Sequence, residues 1–127
     1  MIEKLKIGMT NKYEKTVSKD DTADKLGSGT LEVFSTPMMV AMMESAAKDT
    51  VQEFLPEGCS TVGTALNIKH MAATGLNKKV WAVAELVEID RKRLVFKIDA
   101  FDQDKKIGEG THERFIIENE KFMSKLQ

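Results

Sequence analysis

A segment with almost no polar surface, residues 36–47, constrains the fold of this chain more than any other stretch. After Pro37, its only polar residues are Glu44 and Ser45. A helix that is apolar on nearly every side is normally buried in a protein core or in a membrane. The apolar run is much shorter than the roughly 20 residues that a bilayer span requires, and Lys48 closes it. We therefore predict a central helix around which the rest of the chain packs.

The ends of this helix are marked by residues with known positional preferences. Thr36 is predicted to be the N-cap, and Pro37 would then occupy the first helical position, where proline is tolerated. The helix is expected to stop near Leu55, because Pro56 disfavours helical geometry in the residue before it and Gly58 follows.

Glu44 is the unusual residue of the helix. An ionised carboxylate removed from water costs several kcal/mol unless a partner stabilises it or its pKa rises. Two interpretations stay open: Glu44 is a functional carboxylate, or the helix is rotated so that Glu44 reaches solvent or a neighbouring Lys or Arg. Thr36 has a similar pair of interpretations, as a plain N-cap or as a functional hydroxyl.

Beyond the helix, the hydrophobic period changes from 3.6 to 2, which indicates strands. Tight turns at 90–92 and 103–106 separate the later strands. A short strand is predicted at 12–17, and the charged tail at 118–127 is expected to form a short helix. The long strands are predicted at 61–70, 79–89, 93–101 and 107–117. In the first of them, one face is expected to carry Val62, Thr64, Leu66 and Ile68. One buried helix and an antiparallel sheet wrapped around it predict an α+β hot-dog fold in one domain, residues 1–127.

Composition excludes several classes of function. A net charge of −1 and a pI of about 6.1 provide no basic field for a nucleic acid. The single cysteine, Cys59, excludes an internal disulfide framework and a thiolate zinc site, and favours a reducing compartment. Residues 1–10 lack the apolar core of a signal peptide or membrane anchor. We expect a cytoplasmic protein without a membrane partner.

Basic groups at 78–79, 91–93 and 105–106 are explained as solvated turns, and the alternative is that one binds the phosphates of a nucleotide-like ligand.

Three stretches carry a resemblance to a known family. They are TPMMVAMME at 36–44, GTA at 63–65 leading to HMAAT at 70–74, and GEGTHER at 108–114. Together with residues 120–122, they resemble the fluoroacetyl-CoA thioesterase-like family of hot-dog acyl-CoA thioesterases. The resemblance is specific from residue 36 to the C-terminus and weak before it.

The resemblance implies a catalytic group of Thr36, Glu44 and His70, an acyl-CoA substrate, and neither a cofactor nor a metal. Thioester hydrolysis needs a base that activates water, or a carboxylate that attacks the carbonyl, and a donor for the oxyanion. Glu44 would be the base or a transient nucleophile. His70 would be its acid–base partner, and the Thr36 hydroxyl would orient Glu44 or water. Without the resemblance, His70 reads as an ordinary histidine at a strand end.

Three further residues are expected to have roles near this group. The backbone N–H near Gly63 is a candidate oxyanion donor, and the alternative is a bulge that bends the sheet. Arg114 is expected to bind substrate, orient a carboxylate or contact a dimer partner. His112 is expected to be structural or interfacial, because the resemblance does not include it in the catalytic group.

Three other functions remain alternatives. A hot-dog hydratase usually has a histidine five positions after an Asp or Glu, whereas Asp49 stands five positions after Glu44. An acyl-CoA sensor without activity would normally need an effector domain, for which 127 residues leave no room. A purely structural protein of this fold would have a filled core without a ligand cavity. Release of thiol from acetyl-CoA separates the enzyme from the two non-catalytic proteins.

Assembly and substrate range are also predicted. A wrapped sheet leaves an edge strand with unpaired backbone groups, and pairing of two copies removes this liability, so we expect a homodimer. In the fluoroacetyl-CoA enzymes that the chain resembles, aromatic residues before the helix form a hydrophobic lid over the acyl group. Residues 25–31 of this chain contain two glycines and small polar residues instead. We therefore expect a thioesterase for short or medium acyl-CoAs without strong preference for the fluorinated substrate.

Overall fold

The computed structural model of the chain describes residues 3–127 and contains one sheet against which one long helix packs. The five strands are antiparallel, in the order β1-β3-β4-β5-β2. They are β1 (Thr10–Thr16), β2 (Cys59–His70), β3 (Lys79–Asp90), β4 (Arg93–Asp102) and β5 (Lys106–Glu118). The helices are α1 (Ala23–Leu26), α2 (Thr36–Val51) and α3 (Asn119–Ser124). The predicted α+β hot-dog fold is confirmed. In residues 3–127 no helix is long and apolar enough to cross a membrane.

The core lies between α2 and the inner face of the sheet. The alternation predicted for β4 is confirmed, because Leu94, Phe96, Ile98 and Ala100 are all fully buried. The helix contributes a matching set of buried residues, namely Met39, Met42, Met43, Ala46, Ala47 and Val51. Each fully buried side chain of the size of Leu or Met stabilises the fold by about 1.5–3 kcal/mol, so this contact fixes the helix on the sheet.

The N-cap of α2 is Ser35, and the prediction of Thr36 was wrong by one residue. Ser35 has extended backbone angles, and its side chain accepts a hydrogen bond from the Met38 N–H at 3.2 Å. Thr36 is the first helical residue and Pro37 the second. Both Ser and Thr are good caps, so the sequence alone did not distinguish them. Because Ser35 caps the helix, the hydroxyl of Thr36 is free for another partner.

In a single copy, α2 is not surrounded on all sides. An uncovered stripe runs along it through Pro37, Ala41 and Lys48, which are exposed, and Glu44, whose side chain is 43% exposed. The spacing of these residues places them on one face of the helix. Of the two interpretations left open for Glu44, the one in which helix rotation brings it to solvent describes the single chain, and this face of the helix stays available for contact.

Strand β2 is an edge strand with a bulge in its middle. The register shifts between Gly63 and Ala65, so the alternation of faces that holds before the bulge is reversed after it. Val62 pairs with Phe115, whereas Leu66 pairs with the buried His112. The predicted common face of Val62, Thr64, Leu66 and Ile68 is therefore wrong. Residues 63–67 of this edge are exposed.

The segment before α2 folds over the start of the helix. It forms a 3-10 turn at Lys19–Asp21 and the short helix α1, which ends at Gly27 in the left-handed region. Two backbone hydrogen bonds hold the end of this segment beside the helix: Phe34 N–H donates to the Thr74 carbonyl at 2.8 Å, and Ser35 N–H donates to the Asp21 carbonyl at 2.9 Å. The loop after β2 and the segment before α2 thus hold the first residue of the helix in place.

Candidate active site

Thr36 and His70 form a hydrogen-bonded pair at the start of α2. The Thr36 Oγ1 lies 2.7 Å from His70 Nδ1. His70 is the last residue of β2 and pairs with Gly108 of β5. The capping role of Ser35 leaves the Thr36 hydroxyl unused by the helix, so it can hold the orientation of the imidazole. The structure therefore brings together two of the three residues of the predicted catalytic group.

The other ring nitrogen of His70 is unengaged. Its Nε2 is buried and has no hydrogen-bond partner among residues 3–127. Burial lowers the pKa of His70 below its ordinary value of 6.5, against an opposing effect of the Ala72 backbone. The imidazole is therefore neutral at pH 7, and a neutral imidazole held through Nδ1 can exchange a proton through Nε2.

A cavity of about 320 Å³ surrounds this pair. We name it the helix-start pocket. Its wall combines polar and apolar groups in about equal measure and comprises Ala23, Ser28, Val33, Phe34, Ser35, Thr36, His70, Met71, Ala72 and Ala73. An apolar concavity with a few convergent polar groups is the usual form of a small-molecule site.

Glu44 lies in a second cavity, farther along α2. This mid-helix pocket, of about 220 Å³, is lined by Val40, Glu44, Gly63, Thr64, Ala65, Leu66 and His112. The Glu44 Oε2 is 3.8 Å from Nη1 of Arg114, whose side chain is only 8% exposed. Glu44 thus has both solvent access and a buried cation nearby. The two interpretations of Glu44 are therefore compatible in one chain, because a partly exposed carboxylate beside a cation can also be functional.

Arg114 is fixed from several sides. Its Nε donates to Thr61 Oγ1 at 2.7 Å and its Nη2 to the Thr61 carbonyl at 2.9 Å. Its Nη1 lies 3.1 Å from His112 Nε2. Burial lowers the pKa of Arg114 and Glu44 raises it, but a guanidinium remains charged at any physiological pH. The contact between His112 and Arg114 was not predicted from the sequence. The signal that could have indicated it is their spacing, because residues two apart on a strand share a face.

A side chain at position 63 would crowd Glu44 and His112. A Cβ at this position would lie 2.9 Å from Glu44 Oε2 and 3.1 Å from His112 Cε1. Any side chain would therefore push the carboxylate or the imidazole aside. The bulge beside Gly63 is present, so the structural interpretation of this glycine is correct, and its backbone also lies against Glu44.

The two pockets are separate within one chain. Thr36 and Glu44 are two helical turns apart, about 12 Å along the axis, and no residue lines both cavities. Asp49, in the position where a hydratase usually has histidine, is 41% exposed and pairs with Lys48 at 3.4 Å. Residues 3–127 contain no group of three His, Cys, Asp or Glu side chains that could hold a metal ion.

The sheet wrapped on a central helix, with a Thr–His pair at one end of the edge strand β2 and a carboxylate beside its middle, places the chain among the hot-dog thioesterases, which are thioester hydrolases. Residues 17–120 match the model of the fluoroacetyl-CoA-specific thioesterase family. The chain belongs to this family.

Individual members of this family are similar to the chain in sequence and in structure. The chain is 40% identical, over 96 residues, to the fluoroacetyl-CoA thioesterase of Streptantibioticus cattleyicolor, covering 76% of this chain and 69% of the relative. A solved structure of a fluoroacetyl-CoA thioesterase superimposes with a TM-score of 0.92 at 32% identity, covering 98% of this chain and 96% of the other. A variant of such an enzyme, solved with fluoroacetate and CoA, gives a TM-score of 0.88 at 33% identity over 93% and 99% of the two chains.

Proposed function

We propose that this protein hydrolyses short or medium acyl-CoA thioesters to the free acid and CoA, acting in the cytoplasm as a homodimer. The observation that carries the proposal is the division of the reactive groups between two pockets along one exposed edge strand. Thr36 and His70 lie at one end of β2, and Glu44 lies beside Gly63 in its middle. Membership of the thioesterase family and the CoA complex of a relative support the reaction class and the carried group.

Dimerisation through β2 would join the two half-sites. An antiparallel pairing of β2 with its own copy, centred between the exposed residues Leu66 and Asn67, lays His70 of one strand beside Gly63 of the other. The partner's Glu44 then approaches the pair of Thr36 and His70. The same pairing satisfies the free backbone groups of the edge, and the uncovered stripe of α2 faces the partner. Each dimer would contain two composite sites. Light scattering that detects only a 14.2 kDa species at micromolar concentration would contradict this assembly.

In the composite site, Glu44 takes a proton from water as the oxygen attacks the thioester carbonyl carbon. The backbone N–H near Gly63 donates to the oxyanion of the tetrahedral intermediate. When the intermediate collapses, the C–S bond breaks and the CoA thiolate leaves. The proton that Glu44 took from water passes through His70, which the Thr36 hydroxyl orients, to the departing sulfur, so that Glu44 is again ionised and His70 again neutral.

The acyl group is proposed to occupy the helix-start pocket. Its cover is built from α1 and the glycine-containing residues 27–29, and Phe34 is the sole aromatic residue in its wall. Such a cover expels water less completely than an aromatic lid. A hydrophobic pocket discriminates by only about 1–3 kcal/mol for each methylene-sized difference. We expect several short or medium acyl chains to be accepted and the fluorinated substrate not to be strongly preferred.

The test is a comparison of kcat/KM for acetyl-, fluoroacetyl-, butyryl- and longer acyl-CoAs, followed through released thiol. The proposal predicts turnover of several short or medium substrates with no more than about tenfold preference for fluoroacetyl-CoA. A fluoroacetyl-CoA value orders of magnitude above the acetyl-CoA value would contradict the proposal that the glycine-containing cover makes the pocket unselective. Binding of acyl-CoA without thiol release would identify a binding protein instead.

A further inference from the structure

His112 is one of the most buried polar residues of the chain, although the proposed reaction gives it no task. It is 2% exposed, and both of its ring nitrogens have partners. Nδ1 lies 2.8 Å from the Ala65 carbonyl, and Nε2 lies 3.1 Å from Arg114 Nη1. A carbonyl only accepts and a guanidinium only donates. Nδ1 therefore carries the hydrogen, Nε2 accepts, and the ring is neutral.

The acceptor on His112 directs the guanidinium away from Glu44. Arg114 uses two of its nitrogens on Thr61, and Nη1 is turned to His112. The nearest approach of Nη1 to Glu44 is 3.8 Å, which is beyond hydrogen-bond distance. An arginine and a carboxylate that are free to meet close to roughly 2.7–2.9 Å, often through two parallel bonds. Their separation here therefore has a cause in the neighbouring side chains.

We propose that His112 is a positioning residue that keeps Arg114 from forming a direct hydrogen bond with Glu44. The carboxylate then gains a nearby positive charge while its oxygens stay free to accept a proton from water. This inference rests on the proposed role of Glu44 as the base. It replaces the expectation that His112 is merely structural or interfacial.

The surroundings of His112 require its neutral form. Burial lowers its pKa, the Ala65 backbone raises it, Arg114 lowers it, and Glu44 and Glu113 raise it, with a net value below the ordinary 6.5. The Phe96 ring packs against it with centroids 6.5 Å apart. Protonation would replace the acceptor by a second cation facing Arg114. The arrangement is therefore present at pH 7 and is lost as the pH falls through the pKa of His112.

The test compares two variants by crystallography and kinetics. His112→Phe keeps a ring but cannot accept, so Arg114 Nη1 should close on Glu44 to about 2.9 Å, and kcat should fall at least about tenfold with KM nearly unchanged. His112→Gln retains a donor and an acceptor and should keep the long separation and recover most of the rate. Glu113→Gln, on the outer face, is the control and should change neither. An unmoved Arg114 in His112→Phe would overturn the inference.

A measurement that leaves His112 in place covers the case in which His112→Phe does not fold. Nitrogen NMR of the histidine rings at pH 7 should show His112 neutral with its hydrogen on Nδ1, and Glu44→Gln should lower its pKa further because a nearby negative charge is removed. A hydrogen on Nε2 would refute the proposal. These structural readouts need no turnover, so absence of thioesterase activity would refute the proposed function while the Arg114 distance still decides the role of His112.

Discussion

The helix-start pocket and the mid-helix pocket hold reactive groups in two different ways. In the first, an exposed threonine meets a half-buried histidine through one hydrogen bond of 2.7 Å, in a wall of mixed polar and apolar residues. In the second, a half-exposed glutamate faces an arginine that is fixed by Thr61 and His112. The first pocket offers proton transfer and space for an acyl chain. The second offers a carboxylate and fixed positive charge.

The difference explains why a single chain is insufficient for the proposed reaction. A base and its acid–base partner must both lie within hydrogen-bond reach of the reacting atoms, directly or through one water. Two turns of helix separate them within one copy. The edge strand β2 passes both pockets, and the proposed pairing of β2 with a second copy would unite them. Three substitutions probe the two pockets separately.

Glu44→Gln should have the largest effect, because it removes the proposed base and keeps the shape of the side chain. We expect kcat to fall by on the order of 10²-fold or more with the fold intact. Asp49→Asn, an exposed carboxylate change on the same helix, is the matched control and should retain the wild-type rate. Steady-state kinetics with acetyl-CoA measures both. A Glu44→Gln variant with the wild-type rate would exclude Glu44 from the chemistry.

A smaller effect is expected at the helix start. Thr36→Val removes the hydroxyl that holds His70, so kcat should fall by about tenfold, whereas the free energy of unfolding should change by only about 0.5 kcal/mol. Ser35→Ala is the counterpart, since it removes the cap and should cost about 1 kcal/mol of stability with a smaller loss of rate. Kinetics and urea unfolding of both variants separate the roles. Equal rate losses would mean that Thr36 acts only through helix structure.

The smallest effect on rate is expected at Asp102, which supports the loop behind the helix-start pocket. Its Oδ2 accepts from Thr74 Oγ1 at 2.8 Å, and Thr74 in turn holds Phe34. Burial raises the pKa of Asp102, but hydrogen bonds from Lys105, from the Asp104 backbone and from Thr74 lower it to about 2. The carboxylate therefore stabilises the fold by about 2 kcal/mol above pH 3.8, and this contribution is lost as the pH falls through about 2.

Asp102→Asn should accordingly destabilise the protein by about 2 kcal/mol at pH 7 and by progressively less between pH 4 and pH 2. Urea unfolding of wild type and variant across this range measures the difference. A stability difference that does not vary with pH would show that the charge of Asp102 is not responsible.

Much of the fold could be predicted because its elements have strong local patterns. Strand β4 and the first part of β3 alternate regularly, so their buried faces follow from the period, whereas register shifts after Leu86 and at Ala100 interrupt the pattern in β3 and at the start of β5. Strand β2 was misread because a bulge at Gly63 reverses the faces, and the sequence offered this bulge only as an alternative. The helix was located correctly, but its cap could not be assigned between two adjacent hydroxyl residues, Ser35 and Thr36.

The site was less predictable, because it depends on which surfaces meet. Thr36 and His70 were paired through a family resemblance, and their contact joins residues far apart in sequence. The exposure of Glu44 depends on how α2 is rotated on the sheet, which a nearly uniform apolar helix does not reveal. The sequence shows only that His112 and Arg114 share a face of one strand, whereas their hydrogen bond also depends on the ring orientation and on which nitrogen carries the hydrogen.

The composite site is the central claim, and subunit complementation tests it most directly. Glu44→Gln and His70→Gln should each be inactive as homodimers. If the site draws Glu44 from one chain and His70 from the other, unfolding and refolding an equal mixture gives heterodimers in which one of two sites is intact, and about a quarter of the wild-type activity should return. A mixture that remains inactive, although mass spectrometry shows that heterodimers have formed, would contradict the account.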